Sequence, residues 1–416
     1  MIERAEKVPI LPPWTITDRN VRCLFIIDTL DGFAGTEKHL YQLTTRLSNR
    51  GFVCRVVVFK SQPSVVMEFE RAGIPVITLH LLKIYGSDAL RKFVRLVSII
   101  RRFKPHIVQT YHFNSDTFGV CAARIARGSK VISSRRDMGD LKTNRQVALN
   151  RVVNPLIDYF ISVCDRVGTS LSLVEGIPAA KIKTIYNGVE LSMYRSGPEA
   201  RLNARKKLGI DCGVFVVGMV CRLRPEKDIG LFLRAVAAVA RKSGNMLAMV
   251  VGDWDRKDQG MVDQYFQYLR EAGVDKKVIF TGFIDDIRDY VDSMDVVCLT
   301  PGKNEGLSNS LLEKMAMGKA VIATDVGGNE ELVVHGETGF IISPADEDAL
   351  VESILTLKEN PQLRTAMGAN GRRRIEGYFT VQKMIENTEA LYRTLLTRRT
   401  IQLGRFQRIA ARLSQE

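Results

Sequence analysis

The chain has 416 residues, of which 45% are hydrophobic and 25% charged, and its formal net charge is +14. This length suggests two or three domains, and the composition excludes a disordered protein. No apolar run approaches the ~20 residues of a membrane-spanning helix, and the charged, proline-containing start is unlike a signal peptide, so we expect a cytoplasmic protein.

Strand-like and helix-like segments alternate in the first half of the chain, which predicts a parallel sheet covered by helices. The strands are predicted at 21–27, 52–59, 75–79, 106–111, 129–133 and 158–163, before a short run at 182–188. The helices are predicted at about 36–49, 88–103, 115–127 and 143–155.

The polar residues 189–212, which include Gly197 and Pro198, are interpreted as a linker. The alternation then begins again, with strands at 214–220, 246–251, 277–281, 295–299, 320–324 and 339–342 and helices near 228–242, 259–272, 309–318 and 346–358. After about residue 361 the chain is expected to be helical and free of strands.

This pattern predicts an α/β protein with two doubly wound, Rossmann-like domains that face a cleft. We assign residues 1–195 to the first domain and 196–380 to the second, and 381–416 to a helix that crosses back and a basic tail, either helical or frayed. Parallel sheets of this kind bind ligands at the carboxyl ends of their strands, so the cleft is the natural site.

The excess positive charge is concentrated at 91–104, 135–151 and 391–416. It could attract nucleic acid, an anionic membrane or an acidic substrate. These segments contain no nucleic-acid-binding motif, so we expect no nucleic-acid partner. The helix 88–103 repeats apolar residues at helical spacing and could lie on a membrane surface; alternatively, it packs on a sheet with its charges in water.

The loop and helix in PGKNEGLSNSLLEKMAMG follow an apolar strand. The amides of Gly306, Leu307 and Ser308 stand at the start of the helix, where unpaired donors favour phosphate. The carboxylates of Glu305 and Glu313 suit hydroxyl groups, such as those of a sugar and a ribose. Alternatively, Ser310 and Glu313 form a capping box, which would explain Glu313 by helix chemistry alone.

Two basic residues follow the first strand of the second half in CRLRPEKD. Arg222 and Lys227 flank a proline turn that precedes a helix. At the carboxyl end of a strand, two fixed cations can neutralise a diphosphate, and Arg222 can bind it with both nitrogens. We expect this loop at the same sheet edge as Glu305.

These motifs together resemble the retaining, nucleotide-sugar-dependent glycosyltransferases of family 4, which have the two-domain GT-B fold. The matching segments are EGLSNSLLE (an E-x7-E motif), Arg222 to Lys227, ATDVGGNEELVVHGETGFIISP at 323–344, YNGVE at 186–190, and Gly35-Thr36-Glu37. The likeness extends over most of residues 21–396, and the motifs of the second half have the order and spacing of the family.

The resemblance implies roles for the residues of the second domain. Arg222 and Lys227 would hold the diphosphate of the donor. Glu305, helped by the amides of Gly306 and Leu307, would contact hydroxyls of the transferred sugar, and Glu313 would contact the ribose of the nucleotide.

The resemblance also implies roles in the first domain. Gly35 belongs to a loop that approaches the diphosphate; the family often has two glycines there, whereas this chain has Ala34-Gly35. Asn187 lies at the cleft hinge, where a role as a turn residue is an equally good explanation. A histidine near the reaction centre would be His112, although an alignment shifted by one residue places Tyr111 there. His106 lies at the other end of its strand and is interpreted as structural.

The implied reaction moves a sugar, with retention, from a nucleotide diphosphate sugar to an acceptor hydroxyl in polysaccharide or glycolipid synthesis. The donor is expected to be a UDP-sugar, and the acceptor a saccharide or a lipid-linked one, used at the inner face of a membrane. We expect no metal or other cofactor, because the cysteines and histidines lack ligand spacing and no Asp-x-Asp ends a predicted strand. The alternatives are a sugar-nucleotide epimerase of the same fold and a catalytically silent binding subunit.

Overall fold

The computed structural model describes residues 21–33, 35–81, 84–140 and 142–413, with side chains as far as residue 397. Residues 1–20 lie outside the described residues, as does Ala34. The prediction that the chain has no signal peptide depended on these first residues. The backbone of the basic tail is helical as far as Leu413.

The first half of the chain forms a seven-stranded parallel sheet in the order β3-β2-β1-β4-β5-β6-β7. Its strands are β1 Val21–Leu30, β2 Phe52–Ser61, β3 Val76–Thr78, β4 Ile107–Tyr111, β5 Lys130–Arg135, β6 Tyr159–Ser162 and β7 Ile182–Thr184. Its helices are α1 Gly35–Ser48, α2 Pro63–Arg71, α3 Ser87–Phe103, α4 His112–Ala126, α5 Asn144–Val153 and α6 Asp165–Glu175. Runs of buried aliphatic residues make these strands typical of a sheet covered on both faces.

The second half forms a six-stranded parallel sheet in the order β10-β9-β8-β11-β12-β13. Its strands are β8 Phe215–Val220, β9 Met246–Val251, β10 Val278–Phe280, β11 Val296–Leu299, β12 Ala320–Thr324 and β13 Gly339–Ile342. The remaining helices are α7 Pro198–Lys207, α8 Ile229–Lys242, α9 Gln259–Glu271, α10 Arg288–Ser293, α11 Asn309–Ala316, α12 Asn329–Leu332, α13 Glu347–Glu359, α14 Pro361–Tyr378 and α15 Val381–Leu413. The predicted pair of doubly wound α/β units is confirmed.

The interpretation of residues 189–212 as a linker is wrong for α7, which lies within it and contacts α10. Arg205 of α7 is fully buried, and its guanidinium forms an ion pair of 2.8 Å with the carboxylate of Asp295. The sequence did not predict this helix because its residues are mostly polar. The charge of its buried Arg205 is neutralised by Asp295, which lies 90 residues further along the chain.

Helix α15 packs on the first sheet. Met384, Ile385 and Tyr392 of α15 are buried in the same apolar cluster as residues of β1 and β2. The segment that follows the first sheet lies beside the segment that precedes α15. The amide of Val189 in the first donates to the carbonyl of Phe379 in the second at 2.9 Å. The two crossings between the halves therefore lie side by side.

Candidate active site between the two domains

Two loops of the second sheet meet at the carboxyl ends of the neighbouring strands β8 and β11. The amide of Gly302 donates to the carbonyl of Glu226 at 2.9 Å, and the hydroxyl of Ser310 donates to the carbonyl of Val220 at 2.6 Å. The loop that contains Arg222 and Lys227 thus lies against the loop that contains Glu305, as the sequence predicted.

Lys227 and Glu305 form an ion pair in which Nζ lies 2.5 Å from Oε2. Glu305 is buried, and Lys227 has a largely buried ammonium group. Burial opposes the charge of Lys227, but the carboxylate of Glu305 outweighs it and raises the pKa of the lysine. Lys227 therefore stays charged at the edge of the sheet.

Arg222 is about half exposed, and its Nη2 lies 2.5 Å from the Oδ1 of Asp255. Asp255 follows β9, the other neighbour of β8, and was not predicted as a site residue. The sequence indicated Asp255 only by its position after the strand predicted at 246–251. The guanidinium is accessible from solvent, so an anion can approach it.

The side chain that caps α11 is Ser308, whose hydroxyl accepts from the amide of Leu311 at 3.3 Å. Ser310 instead bonds to β8, so the alternative of a capping box between Ser310 and Glu313 is wrong. The side chains of Leu307 and Ser308 are buried.

Glu313 contacts a lysine of the first domain that the sequence analysis missed. Its Oε1 lies 2.6 Å from the Nζ of Lys38, which also donates to the hydroxyl of Tyr194 at 2.9 Å. Its Oε2 lies 3.2 Å from the Nζ of Lys314. Burial opposes ionisation of Glu313, but these two ammonium groups outweigh it and lower the pKa of the carboxyl.

The two domains approach each other closely at Gly306. A Cβ atom at this position would lie 2.1 Å from the carbonyl oxygen of Arg136, which follows β5 in the first sheet. From the sequence, this glycine was predicted to let a ligand approach the backbone. In this structure it admits the backbone of the other domain, which no local pattern indicates.

Asn187 and Gly35 contact the same residue of the second domain. The Nδ2 of Asn187 donates to the Oδ1 of Asn309 at 2.7 Å, and the Nδ2 of Asn309 donates to the carbonyl of Gly35 at 3.3 Å. The Oδ1 of Asn187 accepts from the guanidinium of Arg136. Both predicted residues therefore lie at the interface between the domains, next to the first turn of α11.

His112 is the first residue of α4 and has a left-handed backbone with a φ of 68°. Such a conformation is strained for a residue other than glycine and is concentrated at functional sites. Tyr111 is fully buried, and its hydroxyl accepts from the Nε2 of Gln109 at 2.7 Å. Of the two candidates left open by the sequence, His112 is therefore the one that faces the cleft.

His106 has the structural role that was predicted, since its Nδ1 accepts from the amide of Arg22 at 3.0 Å.

A cavity of about 200 Å³ lies between His112 and the loop that contains Glu305. Arg135, Arg136 and Lys142 of the first domain line it together with Asn304 of the second. The described residues contain no group of three or more histidine, cysteine, aspartate or glutamate side chains that could hold a metal ion. The carboxylates of Asp116 and Asp137 also line the cavity, so its wall carries both positive and negative groups.

Two family models match the chain in succession. Residues 33–193 match Glycosyltransferase Family 4, and residues 200–374 match Glycosyl transferases group 1. The chain belongs to the family 4 glycosyltransferases. The enzyme class and the GT-B fold predicted from the sequence are thereby confirmed.

Relatives and solved structures agree with this assignment. This glycosyltransferase is 28% identical to the lipopolysaccharide core biosynthesis mannosyltransferase LpcC of Rhizobium leguminosarum bv. viciae. The alignment extends over 252 residues, which are 61% of this chain and 69% of LpcC. The chain is 24% identical to an Escherichia coli galactosyltransferase over 73% and 79% of the two chains. Anabaena HepE in complex with UDP has a TM-score of 0.81 at 23% identity, over 90% of this chain and 100% of that one.

Proposed function

We propose that this glycosyltransferase moves a sugar from a nucleotide diphosphate sugar to an acceptor hydroxyl and retains the configuration at the anomeric carbon. The observation that carries the proposal is the ion pair between Lys227 and Glu305, next to Arg222 and at the start of α11. Cations for a diphosphate and a carboxylate for the sugar attached to it thus lie at one sheet edge.

In this reaction the bond between the anomeric carbon and the diphosphate oxygen breaks, and its electron pair leaves with the diphosphate. Arg222, Lys227 and the amides of Gly306 and Leu307 stabilise the negative charge that develops there. The acceptor oxygen bonds to the anomeric carbon on the same face, and its proton passes to the departing phosphate. Because the chain's own cations neutralise the diphosphate, we propose that the reaction needs no metal ion.

Both glutamates have lysine partners, which favours binding roles over nucleophilic ones. Retaining glycosidases use two carboxylates about 5 Å apart, one of which attacks the sugar. Here Glu305 is paired with Lys227 and Glu313 with Lys38. We assign Glu305 to hydroxyls of the transferred sugar and Glu313 to the ribose.

Residues of the first domain complete the proposed site. His112 lies where the strained start of α4 faces the cavity, and we assign it to the reaction centre. Gly35 is assigned to the diphosphate, and Asn187 to the contact that holds the domains together around the donor. Closure of this kind excludes water that would otherwise hydrolyse the donor.

The names of related proteins support a UDP-sugar as the donor and an envelope saccharide as the product. HepE has been solved with UDP and with UDP-glucose, and the E. coli relative uses UDP-Gal and a lipid-linked acceptor according to its name. LpcC acts in lipopolysaccharide core biosynthesis. We propose a saccharide or lipid-linked acceptor in polysaccharide or lipopolysaccharide synthesis.

We propose that α3 binds an anionic membrane from the cytoplasmic side. Leu90 and Val94 are 66% and 61% exposed, and Arg91 and Arg95 lie beside them on the exposed face. None of the helices that the structure describes is long and apolar enough to cross a membrane. Replacing Arg91 and Arg95 by Glu should abolish sedimentation with phosphatidylglycerol vesicles, whereas Arg71→Glu on α2 should not; unchanged sedimentation of the double variant contradicts the proposal.

The decisive experiment follows the release of nucleoside diphosphate from a panel of nucleotide sugars incubated with the purified protein and candidate acceptors. Lys227→Ala should lower the rate by about 10²–10³, as loss of one charge-stabilising group does. Glu305→Gln should lower it too, whereas Lys207→Ala, at an exposed ion pair, should not. Binding without release would indicate a silent subunit, and a new sugar nucleotide would indicate an epimerase. If neither site variant lowers transfer, the assigned site is wrong.

A further inference from the structure

Lys314 is a lysine on the core-facing side of α11. Its side chain is 1% exposed, and its neighbours Leu311, Leu312 and Met315 are buried apolar residues. Lysine is almost never fully buried unless its charge is paired. Burial lowers the pKa of Lys314, and the carboxylate of Glu313 opposes this effect. The position therefore carries a charge where packing alone would favour an apolar side chain.

The ammonium group of Lys314 has one ion-pair partner among the residues that the structure describes, and that partner is the preceding residue of the chain. Its Nζ lies 3.2 Å from the Oε2 of Glu313. Adjacent residues of an α-helix point about 100° apart and do not ordinarily face each other. The contact therefore depends on the conformations of both side chains, and it fixes where the carboxylate of Glu313 points.

The carboxylate of Glu313 also has partners from outside its own helix. Its other oxygen, Oε1, contacts the ammonium group of Lys38 in α1, which also donates to the hydroxyl of Tyr194. Lys38 and Tyr194 both favour the ionised form of Glu313. Lys38 belongs to the first domain, whereas Lys314 is on the same helix as Glu313. Of the two lysines, Lys314 is therefore the one that stays with the carboxylate when a ligand takes the place of the other.

The other titratable and charged groups around this pair leave it intact. Cys221, which follows β8, acts on Lys314 only as a thiolate, and burial raises its pKa to about 12, so it is a neutral thiol. Arg372 of α14, the helix that packs on α11, donates instead to the backbone, including the carbonyl of Tyr194 at 2.8 Å. Neither group competes with Lys314 for the carboxylate of Glu313.

We propose that Lys314 is a positioning residue for the nucleotide: it holds the carboxylate of Glu313 ionised and in place when the ribose displaces Lys38. The inference rests on the proposed function, which assigns Glu313 to the ribose. An ionised carboxylate has about four acceptor sites, so the bond to Lys314 leaves sites for the ribose hydroxyls. Without Lys314, displacement of Lys38 leaves a largely buried carboxylate with no cation, which is costly.

Loss of Lys314 should make nucleotide binding take up a proton. In free Lys314→Met, Lys38 keeps the carboxyl of Glu313 ionised. In its complex with nucleotide, burial without a cation raises the pKa of that carboxyl, which is then protonated. The complex binds more protons than the free variant, so the affinity of the variant falls as the pH rises. In wild type, Lys314 keeps Glu313 ionised in both states, and Glu313 takes up no proton.

The test titrates the full chain with UDP by calorimetry at pH 7.5, in buffers of different protonation enthalpy, which measures the protons taken up on binding. Lys314→Met should take up more protons per UDP than wild type, by up to about one, and should bind UDP roughly tenfold more weakly or worse. Glu313→Gln combined with Lys314→Met should show no such excess, because an amide does not titrate. Lys276→Met, at an exposed lysine, should behave as wild type.

The outcomes separate a positioning role from a structural one. An excess proton uptake that disappears in the double variant supports the proposal. Wild-type proton uptake in Lys314→Met overturns it whether or not the affinity falls, as does an excess that persists in the double variant. Circular dichroism reports folding, and Lys314→Gln takes the place of Lys314→Met if the latter does not fold. GDP replaces UDP if wild type binds GDP instead; if wild type binds neither, the proposed function itself fails and the inference fails with it.

Discussion

The ammonium group of Lys38 in the first domain lies 2.6 Å from the carboxylate of Glu313 in the second. Glu313 is the residue that we assign to the ribose of the donor. Lys38 thus pairs with the carboxylate to which we assign the ribose. If that assignment is right, donor binding competes with an ion pair that joins the two domains.

Replacing Lys38 by Met should strengthen the binding of UDP. Removal of the competing ammonium group frees Glu313, and a partly buried pair worth about 1 kcal/mol corresponds to roughly a fivefold change in Kd. Calorimetric titration with UDP measures it, and Lys60→Met, at an exposed pair with Asp31, serves as the control. Weaker binding in the variant would mean that Lys38 contacts the nucleotide itself.

Gly306→Ala should prevent the close approach of the two domains. The new Cβ would lie 2.1 Å from the carbonyl oxygen of Arg136, which is too close for any side chain. We expect transfer to fall at least tenfold and small-angle scattering to report a larger radius of gyration. Gly302→Ala in the same loop meets nothing within 4 Å and should behave as wild type. An active, compact Gly306→Ala variant would contradict the observed interface.

Asp295→Ala should destabilise the second domain by about 3–5 kcal/mol, because it leaves Arg205 charged and buried without a counter-ion. The same carboxylate also accepts from the amide of Val216 at 2.8 Å and lies 2.7 Å from Arg201. Urea unfolding measures the loss. Asp289→Ala, at an exposed pair with Lys207, should change the free energy of unfolding by less than about 0.5 kcal/mol. A similarly small change for Asp295→Ala would exclude this account.

The stability of the protein should depend on pH through Lys319. Burial lowers the pKa of this lysine to about 8 from its ordinary 10.5. Between these values the unfolded chain binds the proton and the folded chain does not, so stability rises with pH, by up to about 1.4 kcal/mol per unit. Urea unfolding at pH 7.5 and 9.5 measures the free energy of unfolding of wild type and of Lys319→Met. We expect wild type to gain stability relative to the variant as the pH rises, and the absence of such a gain would refute the lowered pKa.

Most strands were predictable because they carry runs of apolar residues, as in β1, β2, β8, β9, β11 and β12, which is what a parallel sheet covered on both faces requires. The helix α7 was not predictable, because its packing on the second domain depends on the ion pair between Arg205 and Asp295, two residues that are far apart in the chain. The start of α11 at Asn309 was predicted, and only the alternative in which Ser310 and Glu313 form a capping box was wrong.

The site was predictable as far as it depends on one sheet. Lys227 and Glu305 follow neighbouring strands, so the topology alone brought them to one edge. The contacts of Lys38 with Glu313 and of Arg136 with Gly306 join different domains. They depend on how the two halves pack, for which the sequence offered no periodic signal.

The packing of α15 on the first sheet has a consequence for how the enzyme can be divided. Met384, Ile385 and Tyr392 fill the core beside strands that lie more than three hundred residues earlier. A fragment cut after residue 195 would therefore carry an uncovered apolar surface and aggregate, however sound its seven strands. The amino-terminal half becomes complete only after Tyr392 has been synthesised, so its final folding must await the translation of α15.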